Sequence, residues 1–341
     1  MKLLITVQSI DTDEPLLGFF HSWVLELAKQ FEEVHVICLW EGTHALPPNV
    51  YIHSLGKESG ASRIKFIWRF YRNMWHYRNV DVVFSHMNPH YIVLGGWFWK
   101  LRGIRMFFWR NHARMNTMTR IAALFAERVF YTSTHACTSI FKHSVQMPVG
   151  IDTDVFMQRG ENLRTERSVM FLGRLSKVKR PEIFMDAARL LEEYTVDVYG
   201  ENPDKDEPYI QQLRDRAGRG VTFHGVVRNA DTPEIYNVHE FYVNLTPEGS
   251  MDKTVLEAAA CGTLTVVTNK SYQSLLPDDL FLSDVTATGL AERIKRISAL
   301  PKEVKEGYRN QLRAMVVERH SLRKLMEKLC SYMLTPKSDI K

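Results

Sequence analysis

Short apolar runs that alternate with helical periods, in a series that restarts after Pro148-Val149-Gly150, constrain this chain more than any other feature. Leu3-Leu4-Ile5-Thr6-Val7 is apolar on both faces, which predicts a strand buried inside a parallel sheet. An amphipathic helix over 17–31 is expected next, with Phe20, Val24, Leu27 and Phe31 on one side. Strands at 34–39, 80–85, 104–109 and 128–131 follow, with a helix at 63–77. The second half repeats the pattern. A strand at 168–172 ends at Gly173, and a helix over 181–194 opens on Pro181, a favoured first-turn residue. Strands are expected at 195–199, 221–223, 241–245 and 264–267, and helices at 207–217, 232–238, 252–260 and 287–297. Strands and helices in strict alternation predict an α/β chain of two Rossmann-like domains facing across a cleft. Ligands of such sheets bind at the carboxyl ends of the strands. The expected divisions are 1–148, 149–320 and a C-terminal helix or tail, 321–341, that packs back on the first domain.

The length of 341 residues suits two domains. With 45% apolar and 24% charged residues, disorder, collagen-like repeats and a disulfide scaffold are excluded. Cys38, Cys137, Cys261 and Cys330 form no CxxC pair, so buried thiols in a reducing compartment are expected, without a zinc site. No run of 18 apolar residues predicts a spanning helix, and Asp11, Asp13 and Glu14 follow the first apolar run too soon for a signal peptide. A cytoplasmic location is expected. Charge is unevenly divided. Residues 1–150 carry 16 basic and 10 acidic side chains, a net of +6, whereas the remainder has a net of −1. All seven tryptophans lie before position 110.

Two stretches of the second half carry chemistry. In Gly173-Arg174-Leu175-Ser176-Lys177-Val178-Lys179-Arg180, a strand ends in glycine and a cation-rich loop leads into a helix. Helix starts attract anions through unpaired amides and the helix dipole, so this loop suits a diphosphate; the alternative is a solvated basic turn. Pro247-Glu248-Gly249-Ser250-Met251-Asp252-Lys253-Thr254-Val255-Leu256-Glu257 follows the apolar strand at 241–245. Gly249 and Ser250 free the backbone for close approach to a ligand, and Ala258, Ala259, Ala260 and Gly262 let the next helix pack tightly and stop. A buried Glu257 needs donors, which paired ribose hydroxyls or backbone amides would supply.

The order GRLSKVKR, then GSMDKTVLEAAACG, then TLTVVT resembles the donor domain of family 4 glycosyltransferases, which have the GT-B fold. MPVGIDTDVF resembles that family's interdomain segment, with Val149 in place of the usual Asn. The likeness is concentrated in 145–270. It implies that 149–320 binds a nucleotide-sugar donor and 1–148 an acceptor. By the same resemblance Arg174 and Lys179 hold the diphosphate, Glu257 accepts the ribose hydroxyls, and the amides of Lys253 and Thr254 cap a phosphate. The loop after Phe223-His224-Gly225 borders the base. The family's two glutamates are eight apart, but Gly249 stands eight before Glu257 and Glu248 nine before, so either position can be the counterpart. Asp252 or backbone amides are then expected at the sugar. His112, after the strand at 104–109, matches the family's histidine near the transferred sugar, with His86 as its rival.

The resemblance implies a retaining transferase that needs no cofactor or metal and moves a sugar to a glycan or lipid-linked acceptor. Bacterial cell-surface polysaccharide or glycolipid synthesis is the expected setting. A nucleotide-sugar epimerase or hydrolase of the same fold is the alternative, as is a non-catalytic nucleotide-sugar-binding protein. Residues 57–128 carry 13 basic and three acidic side chains among dense aromatics. Tryptophan and arginine on amphipathic helices suit an anionic membrane surface, so peripheral attachment at the inner face of a membrane is expected through the first domain; the alternative is that the aromatics are ordinary core and the arginines a solvated face, and no nucleic-acid motif appears.

Overall fold

A computed structural model describes all residues except 15–16, 161–162, 203, 205, 219, 249–250 and 336–341. The chain divides into two compact units, Met1–Gly150 together with the chain from Leu322, and Ile151–Ser321.

The first unit holds a seven-stranded parallel sheet. Its strands are β1 (Lys2–Ile10), β2 (Glu33–Glu41), β3 (Val50–Ser54), β4 (Val82–His86), β5 (Arg105–Trp109), β6 (Arg128–Tyr131) and β7 (Ser144–Gln146), in the order β3-β2-β1-β4-β5-β6-β7. The strand order reverses between β1 and β4, which pair in parallel, Leu3 with Val82 and Thr6 with Ser85. Alternate residues feed two cores. Leu3, Ile5, Val7, Val36 and Phe84 face α1 (Phe20–Ala28) and the C-terminal helix Leu322–Leu334. Leu4, Ile37, Val83 and Met106 face α2 (Arg63–His76) and α3 (Pro89–Leu101). On that second side α4 (Thr117–Phe125) packs beside α3, with Phe125 close over Gly96.

The second unit contains β8 (Thr165–Leu172), α5 (Pro181–Ala188), β9 (Thr195–Tyr199), α6 (Glu207–Ala217), β10 (Val221–Gly225), α7 (Thr232–Val238), β11 (His239–Asn244), α8 (Lys253–Ala260), β12 (Leu264–Val267), α9 (Ala287–Ser298) and α10 (Lys302–Arg319). Its parallel sheet runs β10-β9-β8-β11-β12. Here β8 and β11 are neighbours, so the loops leaving their carboxyl ends flank the point where strand order reverses, the ligand position of open α/β sheets.

The C-terminal helix, α11 (Leu322–Leu334), belongs to the first unit because Leu325, Leu329 and Met333 enter the core of α1. Its end is held by Arg105, whose guanidinium donates to the carbonyls of Tyr332, Met333 and Thr335 at 2.8, 3.0 and 2.7 Å. The same guanidinium pairs with Glu127 at 2.6 Å. A cation at a helix carboxyl end meets both the orphan carbonyls and the negative end of the dipole.

Several expectations are corrected. The helix expected over 17–31 forms only over Phe20–Ala28, and that expected over 181–194 ends at Ala188, after which Leu190, Leu191 and Tyr194 close successive turns. The breaks between units fall after Gly150 and Ser321 rather than after 148 and 320. Gly150 has a positive φ of 80°, and a side chain there would strike Leu325 and Trp23.

Candidate functional site

The cation-rich loop leaves β8 at Gly173. At the end of the neighbouring β9, Gly200 has φ +127°, and a side chain on it would overlap the Gly173 carbonyl. Only glycine allows the two strand ends to come that close. The Gly173 amide donates to Tyr199 O at 3.0 Å, and the Leu175 amide to Glu201 O at 2.9 Å. Buried Leu175 anchors the loop. Arg174 is exposed and its side chain makes no hydrogen bond or ion pair among the described residues. A short 3₁₀ turn, Lys177–Lys179, then carries the chain to Arg180, whose left-handed backbone (φ 51°, ψ 46°) redirects it into α5 at Pro181.

That turn brings Lys179 across the switch point to Asp252, which precedes α8 at its N-cap position without a side-chain capping bond. The Lys179 ammonium and the Asp252 carboxylate form an ion pair with only 15% of each side chain exposed. The same Asp252 oxygen accepts from Asn244 Nδ2 at 3.0 Å and Thr246 Oγ1 at 2.8 Å. Burial alone would raise the Asp252 pKa, but the Lys179 charge and these donors outweigh it and hold the pKa below the ordinary carboxylate value. The backbone is fixed as well, since Tyr272 Oη donates to Asp252 O at 2.8 Å. Tyr242 and Thr254 hydroxyls lie 2.8 Å apart, with Asn244 Nδ2 donating to Tyr242 Oη at 3.1 Å. Asn244, Thr246, Tyr242 and Tyr272, none of them singled out from the sequence, therefore set the entrance to α8. Their signal was the polar content of an otherwise apolar strand end.

One turn into α8, Glu257 is buried, and Tyr236 Oη donates to its Oε2 at 3.4 Å. Burial raises the Glu257 pKa, against the opposing Lys253 charge and the hydrogen bonds of Asn229 and Tyr236. Lys253, four residues earlier on the same helix, is shifted down by burial despite the charges of Glu257 and Asp152. A buried carboxylate held next to a buried ammonium is a site that hydroxyl donors would stabilise in its ionised form.

At the far side of the sheet Gly225 ends β10 with φ +74°, its carbonyl accepting from Gly200 N at 2.7 Å. Beside it the His224 ring stacks on Tyr199 at 4.4 Å, and its Nε2 lies 2.6 Å from Asp197 Oδ1. His239 meets the other Asp197 oxygen at 3.1 Å. Thus Lys179, Asp252, Lys253, Thr254 and Glu257 come together at the carboxyl ends of β8 and β11, with Arg174 following β8 and Gly225 at the end of the edge strand β10. Gly249 and Ser250 lie outside the described residues. Glu248 lies 3.1 Å from Lys270 in an exposed ion pair.

The histidines expected near the reaction centre lie on the first unit. His112 sits in an exposed loop after β5, where its Nδ1 accepts from Arg114 N at 3.0 Å and its carbonyl from Cys137 N at 2.8 Å. His86 ends β4 and is packed among Phe20, Trp23 and Trp109 at 4.5, 5.4 and 6.2 Å. Of the two, His112 is the one open to solvent. Between them Arg110 donates to Met87 O at 2.6 Å, and Met87 itself has a left-handed φ of 64°.

A family model described as glycosyl transferases group 1 matches residues 166–299, within the second unit. Mannosylfructose-phosphate synthase of Agrobacterium fabrum is 30% identical over 148 residues, 37% of this chain and 33% of that protein. The match therefore spans about a third of that relative's length. Among solved structures, HepE of Anabaena in complex with UDP and glucose superposes with a TM-score of 0.78 at 15% identity, covering 98% of this chain and all of that one. Sucrose-phosphate synthase of Thermosynechococcus elongatus gives 0.74 at 16% identity, over 97% of this chain and 98% of that one. Residues 166–299 are thus similar to the glycosyl transferases of group 1, and the chain has the GT-B fold of these solved structures.

Proposed function

We propose that this protein transfers a sugar, with retention of anomeric configuration, from a nucleotide diphosphate donor to a glycan or lipid-linked acceptor. The observation that carries the reading is the convergence, at the switch point of the second sheet, of Lys179, the start of α8 and buried Glu257. HepE was solved with UDP and with UDP-glucose, which makes a UDP-sugar the first donor to test.

In this reading Glu257 accepts the two ribose hydroxyls, and the loop after Gly225 borders the base. Arg174, Lys179 and the amides of Lys253 and Thr254 face the diphosphate. The sugar C1–O bond to phosphate breaks while the acceptor oxygen bonds C1 from the same face. The leaving phosphate oxygen takes the acceptor proton, so no protein base is required. Charge builds on the diphosphate as it leaves, and preset cations and amides there supply the dominant stabilisation. His112, after β5, is the residue that the family resemblance assigns to the transferred sugar. No metal is needed for this step. A place in bacterial surface glycan or glycolipid synthesis, on the cytoplasmic side of the membrane, follows from an acceptor of that class.

The test is to incubate the protein with UDP-, GDP- and ADP-sugars, with and without a membrane extract, and to measure nucleotide release. Release that depends on the extract supports transfer. Acceptor-independent conversion of the donor points instead to a hydrolase or epimerase, and binding without turnover to a non-catalytic protein; either result overturns the reading.

A further inference from the structure

The three helices on one side of the first sheet carry a surface that the donor chemistry does not use. α2, α3 and α4 form a continuous layer: Phe70 packs on Tyr91 at 5.7 Å, Tyr71 Oη reaches Leu94 O at 3.3 Å, and Phe125 closes over Gly96. Their inner sides are core. Their outer sides are not polar, as a solvated helix layer would be. Ile64, Trp68, Trp75, Trp97, Leu101 and Leu124 are each at least half exposed. At about 100° per residue, positions 64, 68 and 75 fall within roughly 40° of one another, so they form one stripe along α2.

The charge on this layer has a single sign. None of the three helices contains an Asp or Glu. Arg63, Lys65, Arg72, Lys100 and Arg120 form no salt bridge among the described residues. The three acids of the region are engaged elsewhere. Glu58 accepts from Ser54 Oγ at 2.8 Å, Asp81 from the Lys2 amide at 2.7 Å, and Glu127 pairs with Arg105 at 2.6 Å. Arg72 lies over the Trp68 ring at 5.0 Å and Arg78 over Trp75 at 5.4 Å, so cations and indoles share the same outer face.

We propose that the outer face of α2, α3 and α4 docks on an anionic lipid bilayer. Indole rings favour the headgroup level, where an apolar body meets polar surroundings, and isoleucine and leucine beside them reach the acyl boundary. The unpaired arginines and lysines meet lipid phosphates. The loop carrying His112 runs into α4 at its N-cap, Asn116, whose side chain accepts from Thr119 N at 2.8 Å. Docking by this layer therefore sets that loop at the lipid surface, which selects a lipid-linked acceptor. That last step rests on the transferase reading; docking itself does not.

The experiment is flotation of the full chain with vesicles of phosphatidylcholine alone or mixed equimolar with phosphatidylglycerol, across a salt series. Binding to the anionic vesicles, strongest at low salt, is expected. The triple variant R63Q/K65Q/R72Q should weaken partitioning about a hundredfold, at about 1 kcal/mol for each charge near the surface. The variant W68S/W75S should remove the binding that survives high salt, with circular dichroism and UDP titration checking that the fold is kept. Equal affinity for neutral and anionic vesicles, no binding to either, or binding unchanged in both variants overturns the proposal. UDP binding is read separately on the same proteins, so loss of the donor reading leaves this test standing.

Discussion

Replacing Lys179 with alanine removes a charge from two partners at once: the diphosphate of the proposed donor and the Asp252 carboxylate. The pair is largely buried, with 15% of each side chain exposed. Removing one partner of a buried pair typically costs about 3–5 kcal/mol. Asn244 and Thr246 still donate to the same Asp252 oxygen, so the low end, about 3 kcal/mol, is expected for K179A. The double variant K179M/D252N removes both charges and leaves an amide oxygen for those donors. Its stability should return to within about 1 kcal/mol of the parent, the worth of an ordinary hydrogen bond. Turnover should not return. Without the cation at the leaving diphosphate, sugar transfer should stay about 10²–10³-fold down, as when one preset donor is lost elsewhere. Urea denaturation and nucleotide release, measured on both variants, separate the two effects. Normal turnover in a folded K179M/D252N would refute Lys179 as the diphosphate contact. A double variant no more stable than K179A would refute the energetic pairing with Asp252.

Glu257→Gln should weaken UDP binding strongly while Glu248→Gln stays mild, because Glu257 is buried under Tyr236 and Glu248 sits in an exposed pair with Lys270; titration calorimetry ranks them. Burial raises the Glu257 pKa, so its protonated form gains ground at higher pH than for an ordinary carboxylate. UDP affinity should therefore fall as pH drops through that raised pKa, and the fall should vanish in Glu257→Gln. Leu329→Ala opens the core between α11 and α1 and should cost about 2–5 kcal/mol in denaturant unfolding, with donor binding by the second unit unchanged. Gly200→Ala places a methyl group against the Gly173 carbonyl at a φ unsuited to alanine, and should lower stability and UDP affinity together.

Most strands of the two sheets were legible because they are apolar runs bounded by turn residues; β7, Ser-Val-Gln, has no such run. The strand expected at 195–199 and the helix expected at 207–217 coincide with β9 and α6. What the sequence hid had physical reasons. α3 is buried through Tyr91, Ile92, Gly95, Gly96, Phe98 and Trp99, on more than one side, and so lacks the stripe that marks a surface helix. α10 shows the opposite pattern, with only Arg309, Leu312, Met315 and Val316 buried along 18 residues. β3 is a half-buried edge strand of five residues with no strong alternation. At the site, charge and spacing marked the loop of Arg174 and Lys179 and the carboxylate of Glu257 as candidates, and the family resemblance gave them their expected roles; the structure places Lys179 and Glu257 on either side of the α8 entrance. The Asp252 network could not be marked this way. Asn244, Thr246, Tyr242 and Tyr272 are scattered over 31 positions; the end of β11 brings Asn244 and Thr246 to the Asp252 carboxylate, while Tyr272 reaches the Asp252 carbonyl and Tyr242 the Thr254 hydroxyl.

That network bears on how the proposed site would handle an anion. Lys179 is paired with Asp252, so a diphosphate would gain its contact by exchange rather than by meeting a bare charge. Exchange is unfavourable where it strands a buried carboxylate. Here Asp252 would keep Asn244 and Thr246 as donors after Lys179 turns away, which lowers the penalty. Arg174, exposed and outside any ion pair among the described residues, faces no such competition. The two cations are therefore expected to differ: Arg174 should govern the first capture of the donor and its salt dependence, Lys179 the balance between bound diphosphate and its release. Stopped-flow UDP binding separates them. Arg174→Gln should lower the association rate, most at low salt, whereas Asp252→Asn, by freeing Lys179, should slow UDP dissociation. An unchanged dissociation rate in folded Asp252→Asn would show that Lys179 does not trade partners when the nucleotide binds.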